Sequence, residues 1–180
     1  QPPVPPLALL GDFAGGGLYL ALGILAALIE RARSGLGQVV DAAMVDGVAS
    51  LSTAFFGLAA AGVWQPERGT NLIDSGAPFY DVYACRDGRY VSIGPLEAKF
   101  FRKLLALLEL PETLAGWQAD RRRWSDLRTL LAQAFAGRTR DEWSALLEGT
   151  DACFSPVLGF DEAPRHAHLR ARGTFIEIDG

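Results

Sequence analysis

Charge is spread so unevenly along this chain that it restricts the fold before any motif is considered. Residues 1–64 carry only Asp12, Glu30, Arg31, Arg33, Asp41 and Asp46, although the whole chain holds 17 basic and 21 acidic side chains. Within that first segment Phe13–Ile29 and Gly47–Trp64 contain no charge. Segments this apolar must be covered by protein or by lipid. Both lie at or below the short end of a bilayer-spanning helix. The first opens with Gly15-Gly16-Gly17, leaving Leu18–Ile29 as the strong apolar helix, and the second contains Ser50, Ser52 and Thr53 among many Ala and Gly residues. This favours close packing against protein, so the expectation is two buried helices of a large α/β domain and no membrane span. Between them Gly37-Gln38-Val39-Val40-Asp41-Ala42-Ala43 reads as a turn and a short buried strand. Helix, strand, helix suits the end of a doubly wound sheet.

Beyond residue 64 the pattern changes. Trp64-Gln65-Pro66-Glu67-Arg68-Gly69 reads as the start of a connector. We place part of a large domain at residues 1–64, a linker at 65–79, and a small α+β domain at 80–180 whose end begins a return to the large domain. Phe79–Cys85 and Tyr90–Gly94 flank Arg86-Asp87-Gly88-Arg89, a hairpin signal. Helices are expected at about 97–109, 124–136 and 139–149 from apolar spacing, the last opened by the capping box Thr139-Arg140-Asp141-Glu142. Cys153–Leu158 reads as a short strand, and Phe160-Asp161-Glu162-Ala163 starts a further helical turn.

The formal net charge of −4 and the pI near 5.2 argue against a nucleic-acid partner. Arg121-Arg122-Arg123 reads as a solvated helix start in preference to a phosphate or adenine contact. Cys85 and Cys153 belong to no metal-spaced cluster and are expected as buried thiols in a reducing, cytoplasmic setting, not as half of a Cys–His nucleophile. His166 and His168, two apart in a polar stretch, make a poor metal site. Gln1-Pro2-Pro3-Val4-Pro5-Pro6 lacks the features of a signal peptide, and Phe175–Gly180 alternates like a strand, so a larger parent protein is expected.

The chemistry is concentrated in Gly11-Asp12-Phe13-Ala14-Gly15-Gly16-Gly17. Ahead of an apolar helix, Asp12 suits an N-cap. A cap does not need three glycines in the first helical turn, where they weaken the helix. Glycines there allow a ligand close to the backbone, and helix-start amides favour developing negative charge. Asp12 is therefore a candidate base or nucleophile, with Gly15 and Gly16 at its ligand. The run is not a P-loop: no Gly-Lys-Ser/Thr follows.

That block, with Gly23-Ile24-Leu25-Ala26-Ala27-Leu28 and Gly35–Gly47 after it, resembles the central block of the family III CoA-transferase enzymes. The likeness continues through Gly76–Tyr83, Asp87–Val91 and Ser155–Leu158. It implies that Asp12 is the catalytic carboxylate and that residues 1–64 belong to a Rossmann-like large domain. Gly94-Pro95-Leu96-Glu97-Ala98-Lys99-Phe100-Phe101 resembles the racemase branch, in which a Glu of this loop faces the active site, so Glu97 is the second catalytic residue implied. Read alone, Glu97 is equally a helix-start acid. Ile73, Tyr80 and Leu96 match acyl-pocket positions. The resemblance implies an acyl-CoA substrate, no cofactor beyond that thioester, and an interlocked homodimer. The racemases pair the Asp with an upstream His, and no His precedes Asp12 here. Racemisation is the expected activity. CoA transfer through an aspartyl anhydride is the alternative, and a non-catalytic dimerisation fragment is the reading from another class.

Overall fold

The computed structural model describes residues 6–178, which divide between Gln65 and Pro66 into two compact units. The expectations on the proline-rich start and on Asp179-Gly180 fall wholly or partly outside the described residues.

The earlier unit is helical. A π-helical segment, Leu9–Leu18, runs directly into α1, Tyr19–Ser34, which ends on Gly35 in the left-handed conformation at φ 76°. After an irregular stretch come α2, Met44–Leu51, and α3, Thr53–Ala60. The π-helical segment packs on α2 through glycines. A Cβ placed on Gly47 would lie 1.9 Å from the Gly15 carbonyl oxygen, and one on Gly15 would lie 3.0 Å from the Val48 nitrogen. Both glycines are buried. Tyr19 adds a hydroxyl donor to Ser50 Oγ at 2.8 Å, between α1 and α2.

Several expectations fail in this unit for identifiable reasons. Asp12 is not an N-cap, because the helix begins at Leu9. The strand expected at 38–43 is absent, and Val39 is 93% exposed: a strand needs a ladder partner, and residues 6–65 contain none. The second apolar stretch is broken at Ser52, where Thr53 Oγ1 donates to the Ser50 carbonyl at 2.7 Å, a local bond that competes with helix continuation. Within residues 6–65 the helices expected to be buried in a large domain have no covering layer, since α1 buries no residue. Because the π-helical segment extends α1, Leu9–Ser34 is long and apolar enough to cross a membrane, with an 18-residue stretch of mean hydropathy 1.8 that is 11% buried. Length and composition alone give that result, and a core helix of a larger domain meets the same test.

The later unit has a core of its own. Strands β1, Asp81–Ala84, β2, Tyr90–Ile93, and β3, Phe154–Pro156, form an antiparallel sheet in the order β1-β2-β3, so this unit is the α+β unit with a hairpin that was expected. The β1–β2 turn depends on Gly88 at φ 75°, with the Gly88 amide donating to the Cys85 carbonyl at 3.0 Å. One sheet face presents Tyr83, Val91 and Ile93 to the helices α4, Ala98–Leu107, α5, Trp124–Phe135, and α6, Arg140–Leu147. Phe101, Leu104, Leu105, Leu127, Leu131, Phe135, Trp143 and Leu147 complete the core. Tyr83 stacks on Phe135 at 5.2 Å between ring centres, and Trp143 donates its indole N–H to the Phe135 carbonyl at 2.9 Å. The capping box forms in both directions: the Glu142 amide donates to Thr139 Oγ1, and the Thr139 amide donates to Glu142. Two 3₁₀ segments, Glu112–Ala119 and Arg121–Arg123, join α4 to α5. Beyond β3 come a 3₁₀ turn, Ala163–Arg165, and α7, Ala167–Ala171. Residues 175–178 form no strand. Cys85 is buried as expected, but Cys153 is exposed.

Candidate active site

Asp12 sits in the widened π-helical turn and is exposed, with no side-chain hydrogen bond or ion pair among the described residues. π-Helical geometry is rare and frequently marks functional positions. The glycines beside Asp12 serve a different purpose from the one expected. The close approach at Gly15 and Gly16 is made by α2, through Val48 and Met44, so their missing side chains make room for protein. The amides of Gly15–Gly17 also lie within the helix, not at its start, so they are not free helix-start donors.

Of the second group of expected residues, Tyr80 lines a cleft in the later unit. Its volume is about 440 Å³, and it is lined by Ser75, Tyr80, Asp81, Val82, Ser92, Ile93, Gly94, Cys153, Phe154 and Ser155. Two adjacent cross-strand rows, whose side chains leave opposite faces of the sheet, contribute to its lining: Asp81, Ile93 and Phe154 in one register, Val82, Ser92 and Ser155 in the next. Tyr80, exposed, lies across Gly94, where an added Cβ would sit 3.4 Å from the ring. The loop carrying Ser75 is folded around Asp74, whose carboxylate accepts from the amides of Gly69, Asn71 and Gly76 and from the Asn71 side chain. Partial burial pushes the Asp74 carboxyl up, but these hydrogen bonds outweigh it and hold it below the usual range. Arg128 joins this loop to the sheet, pairing with Asp81 and donating to the carbonyls of Ser75 at 2.7 Å and Gly76 at 3.0 Å.

Glu97 takes the N-cap position of α4 without capping it, and its side chain is exposed. Its charge reaches Cys153 on the cleft wall: partial desolvation, then the Glu97 and Asp151 carboxylates, hold that thiol above its ordinary value. Burial pushes the Cys85 thiol up to about 11, with Asp87 adding to the rise. Neither cysteine is activated as a nucleophile. His166 Nε2 lies 3.0 Å from Glu148, not beside a cysteine. Arg121 and Arg123 stack over Trp124 and Trp117 at 5.0 and 5.1 Å, and Arg122 pairs with Asp120, so the basic run is engaged within the protein.

Of the residues expected from sequence, Tyr80 lines the cleft, and Glu97 reaches it only through its charge on Cys153. Ile73 and Leu96 are exposed and each sits two residues from a lining position, Ser75 and Gly94, without lining the cleft itself. Asp12 belongs to the other unit. Sequence reasoning missed Ser75, Ser92, Cys153 and Phe154. The strand alternation that puts Ser92 and Ser155 on one face was available, but the pairing that aligns them was not.

Comparison with known proteins adds to this geometry. The profile of the CoA-transferase family III matches residues 1–180. The chain is 45% identical to an α-methylacyl-CoA racemase from Mus musculus over 97% of its length and 43% identical to the one from Homo sapiens over the same share. It is 29% identical to a formyl-CoA:oxalate CoA-transferase from Rhodopseudomonas palustris over 99% of its length. A CaiB/BaiF family protein of known structure from Brucella suis superposes with a TM-score of 0.71 at 24% identity over 96% of the chain, covering 46% of that protein. The chain spans 46% of the length of each racemase and 48% of the transferase. Taken with the Gly-Asp block and the loop that presents Glu97, the match over the full 180 residues places this chain in the CoA-transferase family III.

Proposed function

We propose that this chain supplies one acid/base group and part of the acyl site of an enzyme that racemises 2-methyl-branched acyl-CoA thioesters. The observation that carries the reading is identity of 43–45% with α-methylacyl-CoA racemases across nearly the whole chain, against 29% with the oxalate CoA-transferase. The reaction takes a proton from the carbon beside the thioester carbonyl, leaves an enolate, and returns a proton to the opposite face. Inversion therefore needs an acid/base group on each side of that carbon and stabilisation of the enolate oxygen. Asp12 serves one side; exposed and unpaired, it meets substrate without first breaking a bond. Glu97 orients and tunes a histidine on the other side. That histidine comes from sequence beyond these 180 residues, because His166 is engaged with Glu148 and neither His166 nor His168 falls in a matching motif. Ile73, Tyr80 and Leu96 face the acyl chain. The CoA thioester is the substrate, and the scheme calls for no resident cofactor. The uncovered apolar helices of residues 6–65 associate with further protein, in a homodimer of the complete enzyme, in the cytoplasm.

The alternative chemistry is CoA transfer, with Asp12 attacking the thioester to form an acyl anhydride. One experiment separates the two. The active enzyme containing this chain is incubated with a single epimer of 2-methylacyl-CoA in deuterated water, and in parallel with acyl-CoA plus hydroxylamine. Racemisation gives α-deuterium and loss of optical purity, whereas a hydroxamate mapped to Asp12 assigns CoA transfer. The isolated 180-residue chain is expected to catalyse neither, and α-proton exchange by it would overturn the two-base scheme.

A further inference from the structure

Glu97 stands on a loop with few backbone ties. Gly94–Glu97 joins β2 to α4. At its near end the Gly94 amide donates to the Cys153 carbonyl at 2.9 Å. At its far end the Glu97 carbonyl accepts from the amides of Phe100 and Phe101, each at 3.0 Å. Between them Pro95 has no N–H, and the Leu96 amide closes a tight turn onto the Gly94 carbonyl at 2.9 Å. The Glu97 side chain makes no hydrogen bond among the described residues and does not cap α4, so nothing at its own end fixes its direction.

One side chain from another element supplies what the loop lacks. Gln118 Nε2 donates to the Pro95 carbonyl at 3.0 Å and to the Leu96 carbonyl at 2.9 Å, spending both amide hydrogens on consecutive carbonyls. The second of these belongs to the peptide plane that contains the Glu97 nitrogen. Fixing that plane sets the direction in which the Glu97 side chain leaves the backbone, and fixing both planes does the same for Leu96. Gln118 is itself anchored. It lies near the end of the 3₁₀ segment Glu112–Ala119, and its carbonyl accepts from Trp124 Nε1 at 3.1 Å. Trp124 in turn packs edge-on against the buried Phe79 at 5.6 Å. A continuous chain of contacts thus runs from the core through Trp124 and Gln118 to the loop.

We infer that Gln118 is a positioning residue, whose side-chain amide holds the Pro95–Leu96 backbone and so aims Leu96 and Glu97 at the reacting site. The clamp rests on geometry alone; its consequence for rate rests on the racemase reading above. Gln118→Leu and the isosteric Gln118→Glu both remove the two donors. In the active enzyme each is expected to lower kcat for α-proton exchange about 10-fold or more while KM stays within about twofold, because misplacement of a catalytic group is felt in the transition state. The pH dependence of kcat is expected to move as well, since a displaced Glu97 no longer tunes its partner. Hydrogen exchange should quicken in the peptide spanning residues 93–98 and stay unchanged in α5 and α6, which also reports intact folding. Unchanged exchange at 93–98 in both variants would overturn the clamp, whatever the activity. Faster exchange there with unaltered kcat and pH profile would overturn the positioning role. Failure of the racemase reading shows separately, as absent α-proton exchange in the unsubstituted enzyme, and leaves the 93–98 measurement decisive for the clamp.

Discussion

The two units of this chain are built by opposite means. Residues 66–178 bury a continuous apolar cluster around Phe101, Leu127, Phe135 and Trp143 and satisfy their polar groups internally. Arg140 illustrates this: nearly buried, it donates to both Glu162 oxygens at 2.7 Å and to the Val157 carbonyl at 2.9 Å. Residues 6–65 carry far fewer charges yet bury only glycines, Gly15 and Gly47, while Leu22, Leu25 and Ile29 are each more than half exposed. Hydrophobicity alone therefore does not make a core. The later unit alternates elements that face one another, whereas the earlier one is a run of helices whose outer faces have no layer against them within residues 6–65.

Four measurements break or sharpen this contrast. The largest effect is expected at Asp12, the candidate base of the poorly covered unit. Asp12→Asn should cost the active enzyme about 10²–10⁴-fold in α-proton exchange with acyl-CoA binding retained. Wild-type turnover would remove Asp12 from the mechanism. Next is a matched pair in the 180-residue chain. Leu127→Ala, in the later core, should destabilise by about 2–5 kcal/mol, and Leu22→Ala, on α1, by less than about 0.5 kcal/mol. Equal shifts in denaturant midpoint would erase the distinction.

A smaller effect tests the tightest glycine contact of the earlier unit. Gly47→Ala drives a methyl group into the Gly15 backbone and should cost about 1–3 kcal/mol. Hydrogen exchange should rise in Leu9–Leu18 and α2 and not in the later unit. Smallest is the acid response of the later unit. Hydrogen bonds from Arg140, then from the Gly159 amide, hold the Glu162 carboxyl at about 2 against an ordinary 4.5. A depressed folded-state value means the unfolded chain binds the proton more readily, so this contribution is complete above about pH 4.5 and is lost as pH falls toward 2. Glu162→Gln should flatten the stability profile in that window, and an unchanged acid slope would remove the pair from the ledger of pH dependence.

Local chemistry made much of this protein legible from sequence. The capping box needed only Thr139 and Glu142 three residues apart, the hairpin needed Asp87-Gly88, and the helical spacing of Leu127 and Leu131 placed α5 in the core. The Gly-Asp block and the Glu97 loop were continuous motifs, so the family was readable as well. What tertiary structure decided involves residues distant in sequence. Gly15 looked like a ligand contact until Gly47 was found against it. Val39 and Val40 read as a strand, but strand formation depends on a neighbouring strand, which residues 6–65 do not provide. Gln118 carried no sequence signal, because the bonds that matter run to carbonyls more than twenty residues earlier. Propensity, caps and turns act within a few residues and are written into the chain. Burial, strand pairing and the aiming of a side chain depend on which surfaces meet, and only the folded backbone settles that.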